Sequence, residues 1–235
     1  LAESVQKAIL PPMNYQTPHV EIVSQFIPFT EVSGDYFDLL PFSDNKLGIF
    51  LTDVTGHGVP AALYTMYIKS QIQNIASKTQ SPVEIITMLN ENLSHVLTED
   101  FLPTAIFLLL DFEKKELRYA NAGHHFPYFY SKSRHETAEM PSKNIFLGFD
   151  SHQNFEENTL SFASGDRIFV YSDGIVEVQD MHNKLEGQSI LHDYIQENSQ
   201  LPLSMFIPRL MHLMQEISQT GKFEDDATMI AIEIK

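Results

Sequence analysis

The sequence predicts an α+β fold, and three observations lead there. From Val20 onward, strand-like segments follow one another with no helix between them; two helix-like segments then come together; and strands return before two further helices and a last strand. Runs of strands alternating with runs of helices point to antiparallel sheets layered with helices, not to the strict alternation of a parallel sheet. With 235 residues, 43% of them hydrophobic, the chain can fill one sizeable core, so we expect one main domain, 13–235, after a short N-terminal segment, 1–12.

The first strands are "VEIVSQFIPF", "GDYFDLLPF" and "KLGIFLTDV", with Ser43, Asp44 and Asn45 as turn residues between the last two. Pro60 sits where a first helical turn tolerates it, and Ala61 to Ala76 has helical character. Ser81, Pro82 and Glu84 form an N-cap, N1 and N3 set ahead of Ile85, Met88, Leu89 and Leu93, which predicts a second helix. Strands resume at "TAIFLLLDF", "ELRYANAG" and "PYFYS", then at "NTLSFA" and "RIFVYSDG" on either side of a Ser164-Gly165-Asp166 turn. A helix over Ser189 to Asn198 and another within 203–219 follow, the start of the latter blurred by Pro208, and "ATMIAIEIK" is the last strand.

Composition excludes several function classes. The net charge of −16 argues against nucleic-acid binding, which needs clustered Lys and Arg. With no cysteine there is no disulfide, no zinc-thiolate site and no cysteine nucleophile. No apolar run approaches the roughly 18 residues of a membrane span; we expect this domain to be cytoplasmic and to make no membrane contact itself, while leaving room for the full-length protein to be membrane-attached.

The stretch "LTDVTGHGVPAAL", 51–63, admits two readings. Gly56, Gly58 and Ala61 match the G-x-G-x-x-G/A turn of a dinucleotide site, but that turn belongs to a parallel βαβ crossover with an acidic residue about 20 positions later. Here two helix-like segments precede the next strand. The other reading centres the loop on Asp53, and it gains from repetition: "SGDYFD" at Asp35, "VYSDGI" at Asp173 and "FEDDAT" at Asp225 and Asp226 also place Asp at a strand edge. Taken singly, each is ordinary turn chemistry. Taken together they are a charge problem, since two carboxylates about 4 Å apart repel by about 4 kcal/mol at an effective dielectric of about 20. Four carboxylates and two divalent cations sum to zero charge, and hard oxygen donors without cysteine suit Mg²⁺ or Mn²⁺.

"SGDYFD", "LTDVTGHGVPAAL", "NAGHHFP", "VYSDGIVE" and "FEDDATMIAIEI" occur in the same order as in the metal-dependent protein phosphatases of the 2C type. The chain most resembles their bacterial branch, typified by the stage II sporulation E phosphatase and the phosphatases that switch on general-stress sigma factors. The resemblance implies an αββα sandwich of two antiparallel sheets flanked by helices, with two divalent cations, Mn²⁺ or Mg²⁺. It implies that Asp53 bridges both ions, assisted by the carbonyl of Val54, that Asp35 holds the second ion, and that Asp173 and Asp225 hold the first. Asp226 would only support the site. Asp38, three positions after Asp35, faces the other side of a regular strand and is not expected to be a ligand.

The implied reaction is hydrolysis of a phosphoserine or phosphothreonine on a protein by direct attack of a metal-activated water. His57 is the candidate proton donor, with a hydrogen-bonded loop histidine as the alternative; His124 reads as structural. Tyr64, Met66 and Tyr67 are either core or a contribution to substrate docking. The substrate implied is a phosphorylated anti-sigma-factor antagonist. An upstream sensor or regulatory domain would join through a helix ending in "ESVQKAILPP", which Pro11 and Pro12 stop and which is a candidate homodimer contact. Two other functions compete: a phosphatase-like module that only docks a partner, against which all four ligand positions being Asp speaks, and a dinucleotide-dependent oxidoreductase, which rests on the glycines of 51–63 alone.

Overall fold

Turn chemistry and alternation shape the first hairpin of the computed structural model, which describes residues 2–98, 101–143, 145–178 and 187–235. In chain order the described elements are α1 (Ala2–Ile9), β1 (Asn14–Gln16), β2 (Val20–Ile27), β3 (Asp35–Ser43), β4 (Lys46–Val54), α2 (Val59–Ala76), α3 (Pro82–Ser94), β5 (Pro103–Asp111) and β6 (Glu116–Ala122). There follow β7 (Tyr128–Ser131), β8 (Glu136–Glu139), β9 (Asn158–Ser161), β10 (Arg167–Tyr171), α4 (Asp173–Val176), α5 (Gly187–Asn198), α6 (Leu203–Ile217) and β11 (Ala227–Ile234). Among the described residues no helix is long and apolar enough to cross a membrane.

These elements form two compact bodies. The first gathers Leu1–Pro11, Thr30–His124 and Ser142–Ser161. Its sheet has the order β3-β4-β5-β6-β9, every pair antiparallel. Helices α2 and α3 cover one face: Ile68, Ile72 and Ile75 with Ile85, Leu89 and Leu93 pack against Tyr36, Phe50, Phe107 and Leu109. Each such side chain contributes about 1.5–3 kcal/mol by leaving water.

The second body gathers Pro12–Phe29, His125–Pro141 and Phe162–Lys235. Its sheet runs β1-β2-β11-β10-β7-β8, again antiparallel throughout. Leu191 and Ile195 of α5 and Phe206, Leu210 and Met214 of α6 pack on Tyr128, Phe169, Tyr171 and Met229. Helix α6 runs through Pro208, which sits in its second turn and forfeits one backbone hydrogen bond.

The α+β expectation therefore holds as two antiparallel sheets with flanking helices. The dinucleotide reading fails on topology, because β4 and β5, on either side of α2 and α3, pair antiparallel. Gly56 and Gly58 instead carry φ of 89° and 80°, and Gly58 is the N-cap of α2, so these glycines turn the chain from strand into helix. The cap of α3 also differs in detail. Ser81 is the N-cap residue, but its hydroxyl donates to Glu157 at 3.3 Å, and Glu84 accepts from Thr79 rather than closing a capping box.

Candidate metal centre

In the first body, Asp35 and Asp53 are direct cross-strand partners at one end of the β3–β4 pair. Opposed residues project to the same face, with Cβ atoms about 4.5–5.5 Å apart. The neighbouring Tyr36 and Val54 lie in the core under the helices, so both aspartates point to the opposite face. Asp35 is 1% exposed, and its N–H donates to the Ser33 hydroxyl at 3.0 Å. Two carboxylates held this close, one of them out of water, are a place where a cation relieves a standing repulsion.

Backbone oxygens converge beside the pair. The N–H of Val54 donates to the Gly34 carbonyl at 3.1 Å, and a Cβ at Gly34 would lie 2.6 Å from the Val54 oxygen and 3.0 Å from that of Gly56. Only glycine allows this approach. The donor set is all oxygen and includes a backbone carbonyl, which fits Mg²⁺ or Mn²⁺.

Asp38 lies on the helix side, as its spacing from Asp35 predicts. Its carboxylate accepts from the Tyr36 hydroxyl at 2.6 Å, the Leu39 N–H at 3.0 Å and Gln73 at 3.4 Å, with Lys69 Nζ at 3.6 Å. Burial first, then the charge of Asp38, raises the Tyr36 pKa far above that of an ordinary tyrosine. This network ties β3 to α2 and leaves Asp38 no part in a metal site. His57 stands exposed in the loop between Asp53 and α2. Tyr64 and Tyr67 pack against the core of the body, Tyr64 with its ring 4.9 Å from that of Phe101. His124 is 4% exposed: its N–H donates to Asn121 at 2.8 Å, Asn121 donates back to its carbonyl at 2.9 Å, and Nδ1 meets the Thr104 hydroxyl at 2.8 Å.

In the second body, Asp173 opens α4 directly beyond β10 and Asp225 lies two residues ahead of β11, which pairs with β10. The Ser172 hydroxyl donates to the Asp226 carbonyl at 3.2 Å and accepts from Thr228 N–H at 2.9 Å, latching the two strand ends together. Burial first, then the charges of Asp225 and Glu177, push the Asp173 carboxyl up to about 6 from its ordinary 3.8, against a lowering hydrogen bond from Gly174. Asp225 is exposed and accepts the Asp226 N–H at 2.7 Å. Asp226 is 3% exposed and accepts the Phe29 N–H at 2.7 Å, a supporting role.

Glu177 is a participant that motif reading passed over, although its place four residues after Asp173 was the available signal. It also opposes the burial that holds His125 below an ordinary histidine pKa. Among the described residues no three His, Asp or Glu side chains are already closed into a metal cage. Asp35 and Asp53 meet in one body, and Asp173 and Asp225 meet in the other.

The profile of the family described as stage II sporulation protein E (SpoIIE) matches residues 43–235. The chain belongs to the SpoIIE family. Among curated relatives, the phosphoserine phosphatase RsbP of Bacillus subtilis (strain 168) is 25% identical over 241 residues, an alignment covering 100% of this chain and 57% of RsbP. This SpoIIE-family chain thus spans little more than half of that relative. Among solved structures, the SiaA-PP2C domain of Pseudomonas aeruginosa superposes with a TM-score of 0.85 at 19% identity, covering 100% of this chain and 94% of that one. RsbX, solved in complex with magnesium, superposes with a TM-score of 0.70 at 18% identity over 94% of this chain and 98% of its own. The SpoIIE-family fold is thereby shared with both of these structures, one of them solved with magnesium.

Proposed function

We propose that this chain is a metal-dependent protein phosphatase that hydrolyses phosphoserine or phosphothreonine on a signalling protein. The observation that carries the reading is the opposed Asp35–Asp53 pair beside the Val54 carbonyl, in a chain of the SpoIIE family. The motifs assign the ligands: Asp53 would contribute to both ions, Asp35 and the Val54 carbonyl would hold the second, and Asp173 and Asp225 would hold the first. When bound, the two cations, Mn²⁺ or Mg²⁺, supply an acidified water as nucleophile and neutralise charge on the phosphoryl oxygens. Water adds to phosphorus, the bond to the serine oxygen breaks, and the leaving alkoxide takes a proton.

His57, exposed in the loop after Asp53, is the chain's candidate donor of that proton. Phosphate release from a phosphoserine protein, with Mn²⁺ and with chelator, tests the assignment. Wild type should turn over only with metal and Asp53→Asn not at all; equal turnover by the two proteins would sink it.

We further propose that the substrate is a phosphorylated anti-sigma-factor antagonist, that the domain works in the cytoplasm, and that residues 1–12 couple it to an upstream sensor or regulatory domain. Helix α1 supports the coupling. Gln6 is its one buried residue and grips the Ser33 backbone twice, accepting the Ser33 N–H at 2.9 Å and donating to the Ser33 carbonyl at 2.7 Å. Ser33 lies two residues before Asp35, so displacement of α1 reaches a ligand through one side chain.

An apolar cavity of about 380 Å³ between α1 and α2 is lined by Val5, Val32, Val59, Leu63 and Met66, with Val5, Val59 and Leu63 more than half exposed. A second copy of α1 is the occupant we propose. Sedimentation of the chain against one starting at Pro11 tests it, and equal mass for both would remove the homodimer.

A further inference from the structure

The row of opposed residues in the first sheet does not stop at Asp53. Asp35 faces Asp53 across β3–β4, and Asp53 faces Thr104 across β4–β5, so all three side chains leave the same face of the sheet. The Thr104 hydroxyl lies 2.8 Å from His124 Nδ1. His124 in turn is fixed by reciprocal hydrogen bonds with Asn121 and by the bridge between Ala105 and Gly123, which draws its loop against β5.

A threonine hydroxyl has one proton to give and two lone pairs to receive. Either it donates to His124 Nδ1, or Nδ1 carries the proton and donates to it. The acceptor across the strand decides between these, because a carboxylate is a far stronger acceptor than a neutral imidazole. If the hydroxyl gives its proton to the Asp53 carboxylate opposite, His124 donates from Nδ1.

We infer that His124, Thr104 and Asp53 form a donor relay, in which His124 orients the Thr104 hydroxyl and that hydroxyl holds the Asp53 carboxylate in the pose that presents its remaining lone pairs to metal. Thr104 and His124 are positioning residues and touch neither substrate nor ion. The relay accounts for two polar residues that strand and loop patterning leave without a purpose: a threonine inside an apolar strand, and a buried histidine.

The inference rests on Asp53 being a metal ligand, and the test separates the two claims. Mn²⁺ affinity is measured by titration calorimetry on the folded protein, beside thermal melts. Groups that orient metal ligands typically cost 10–100-fold in affinity when removed. Thr104→Val keeps the shape but has no hydroxyl, so it should weaken Mn²⁺ binding at least about tenfold, while Thr104→Ser stays near wild type.

His124→Asn places an amide N–H where Nδ1 stood and should be tolerated, whereas His124→Leu should match Thr104→Val. The double variant should bind no worse than either single one, since the two residues act in series. Comparing His124→Asn with His124→Leu runs the same test without touching the strand, should Thr104→Val fail to fold. Wild-type affinity in Thr104→Val or His124→Leu, with binding lost in Asp53→Asn, overturns the relay and leaves the ligand assignment standing. Wild-type affinity in Asp53→Asn overturns both.

Discussion

Replacing Asp173 by Asn separates what the acidic cluster costs the fold from what it does for the reaction. Burial, then Asp225 and Glu177, raise the Asp173 carboxyl from 3.8 to about 6. A carboxyl raised in the folded state stabilises it fully below the ordinary value, and that stability is lost as pH rises through the folded value. The metal-free protein therefore gives up free energy between about pH 4 and about pH 6. At about 1.4 kcal/mol per pH unit, the interval amounts to about 3 kcal/mol.

Asparagine has the same shape, still accepts the hydrogen bond from Gly174 and never ionises. Urea denaturation in chelator should thus find Asp173→Asn more stable than wild type by up to about 3 kcal/mol at about pH 7.5, and level with it below about pH 4. Saturating Mn²⁺ should narrow or reverse the difference, because wild type gains the larger binding free energy, the variant having lost a ligand of one of the two ions, and the variant should release no phosphate. A variant less stable than wild type in chelator at neutral pH, or a difference that ignores pH, would refute the reasoning.

Other residues give independent expectations. Lys69→Met leaves the buried Asp38 carboxylate without its cation and should cost about 2–3 kcal/mol, less than a fully buried pair because Lys69 keeps some solvent; urea melts should show Asp38→Asn restoring part of the loss in the double variant. Gln6→Ala strips the Ser33 N–H and carbonyl of their partner and should cost about 1–3 kcal/mol, with faster hydrogen exchange at the amides of Ser33 to Asp35; unchanged exchange there would disconnect α1 from the site. Asp226→Ala should destabilise by about 1 kcal/mol by removing an acceptor of the Phe29 N–H, which water partly replaces because Phe29 is exposed, whereas Asp225→Ala should spare stability and abolish turnover. His57→Ala should lower kcat on a phosphoserine protein by about 10²-fold, yet leave an aryl phosphate, whose leaving group needs no proton, close to wild type.

Long strands with marked turns were legible in the sequence because burial and turn chemistry act locally: "KLGIFLTDV" is β4 residue for residue. The pieces it missed depend on distant partners. Strand β8, "ETAE", is largely exposed and is a strand only because β7 offers it a register. Helix α4 is four residues long, too short to show a period. Ser81 had the right chemistry for a cap, but Glu157, far along the chain, captured its hydroxyl.

At the site, aspartates at strand ends stood out because Asp is costly in strands. Alternation put Asp38 on the correct side. Thr104 was invisible for a different reason: a polar residue on a strand gains meaning only from its neighbour across a ladder, and no local pattern names that neighbour.

The interleaving of the two bodies has a practical consequence. The backbone passes between them at Pro11–Pro12, Phe29–Thr30, His124–His125, Pro141–Ser142 and Ser161–Phe162. No single cut, by protease or by gene truncation, isolates either sheet with its helices. Deletion mapping will therefore read every internal boundary as essential, and recombination can exchange this unit only whole.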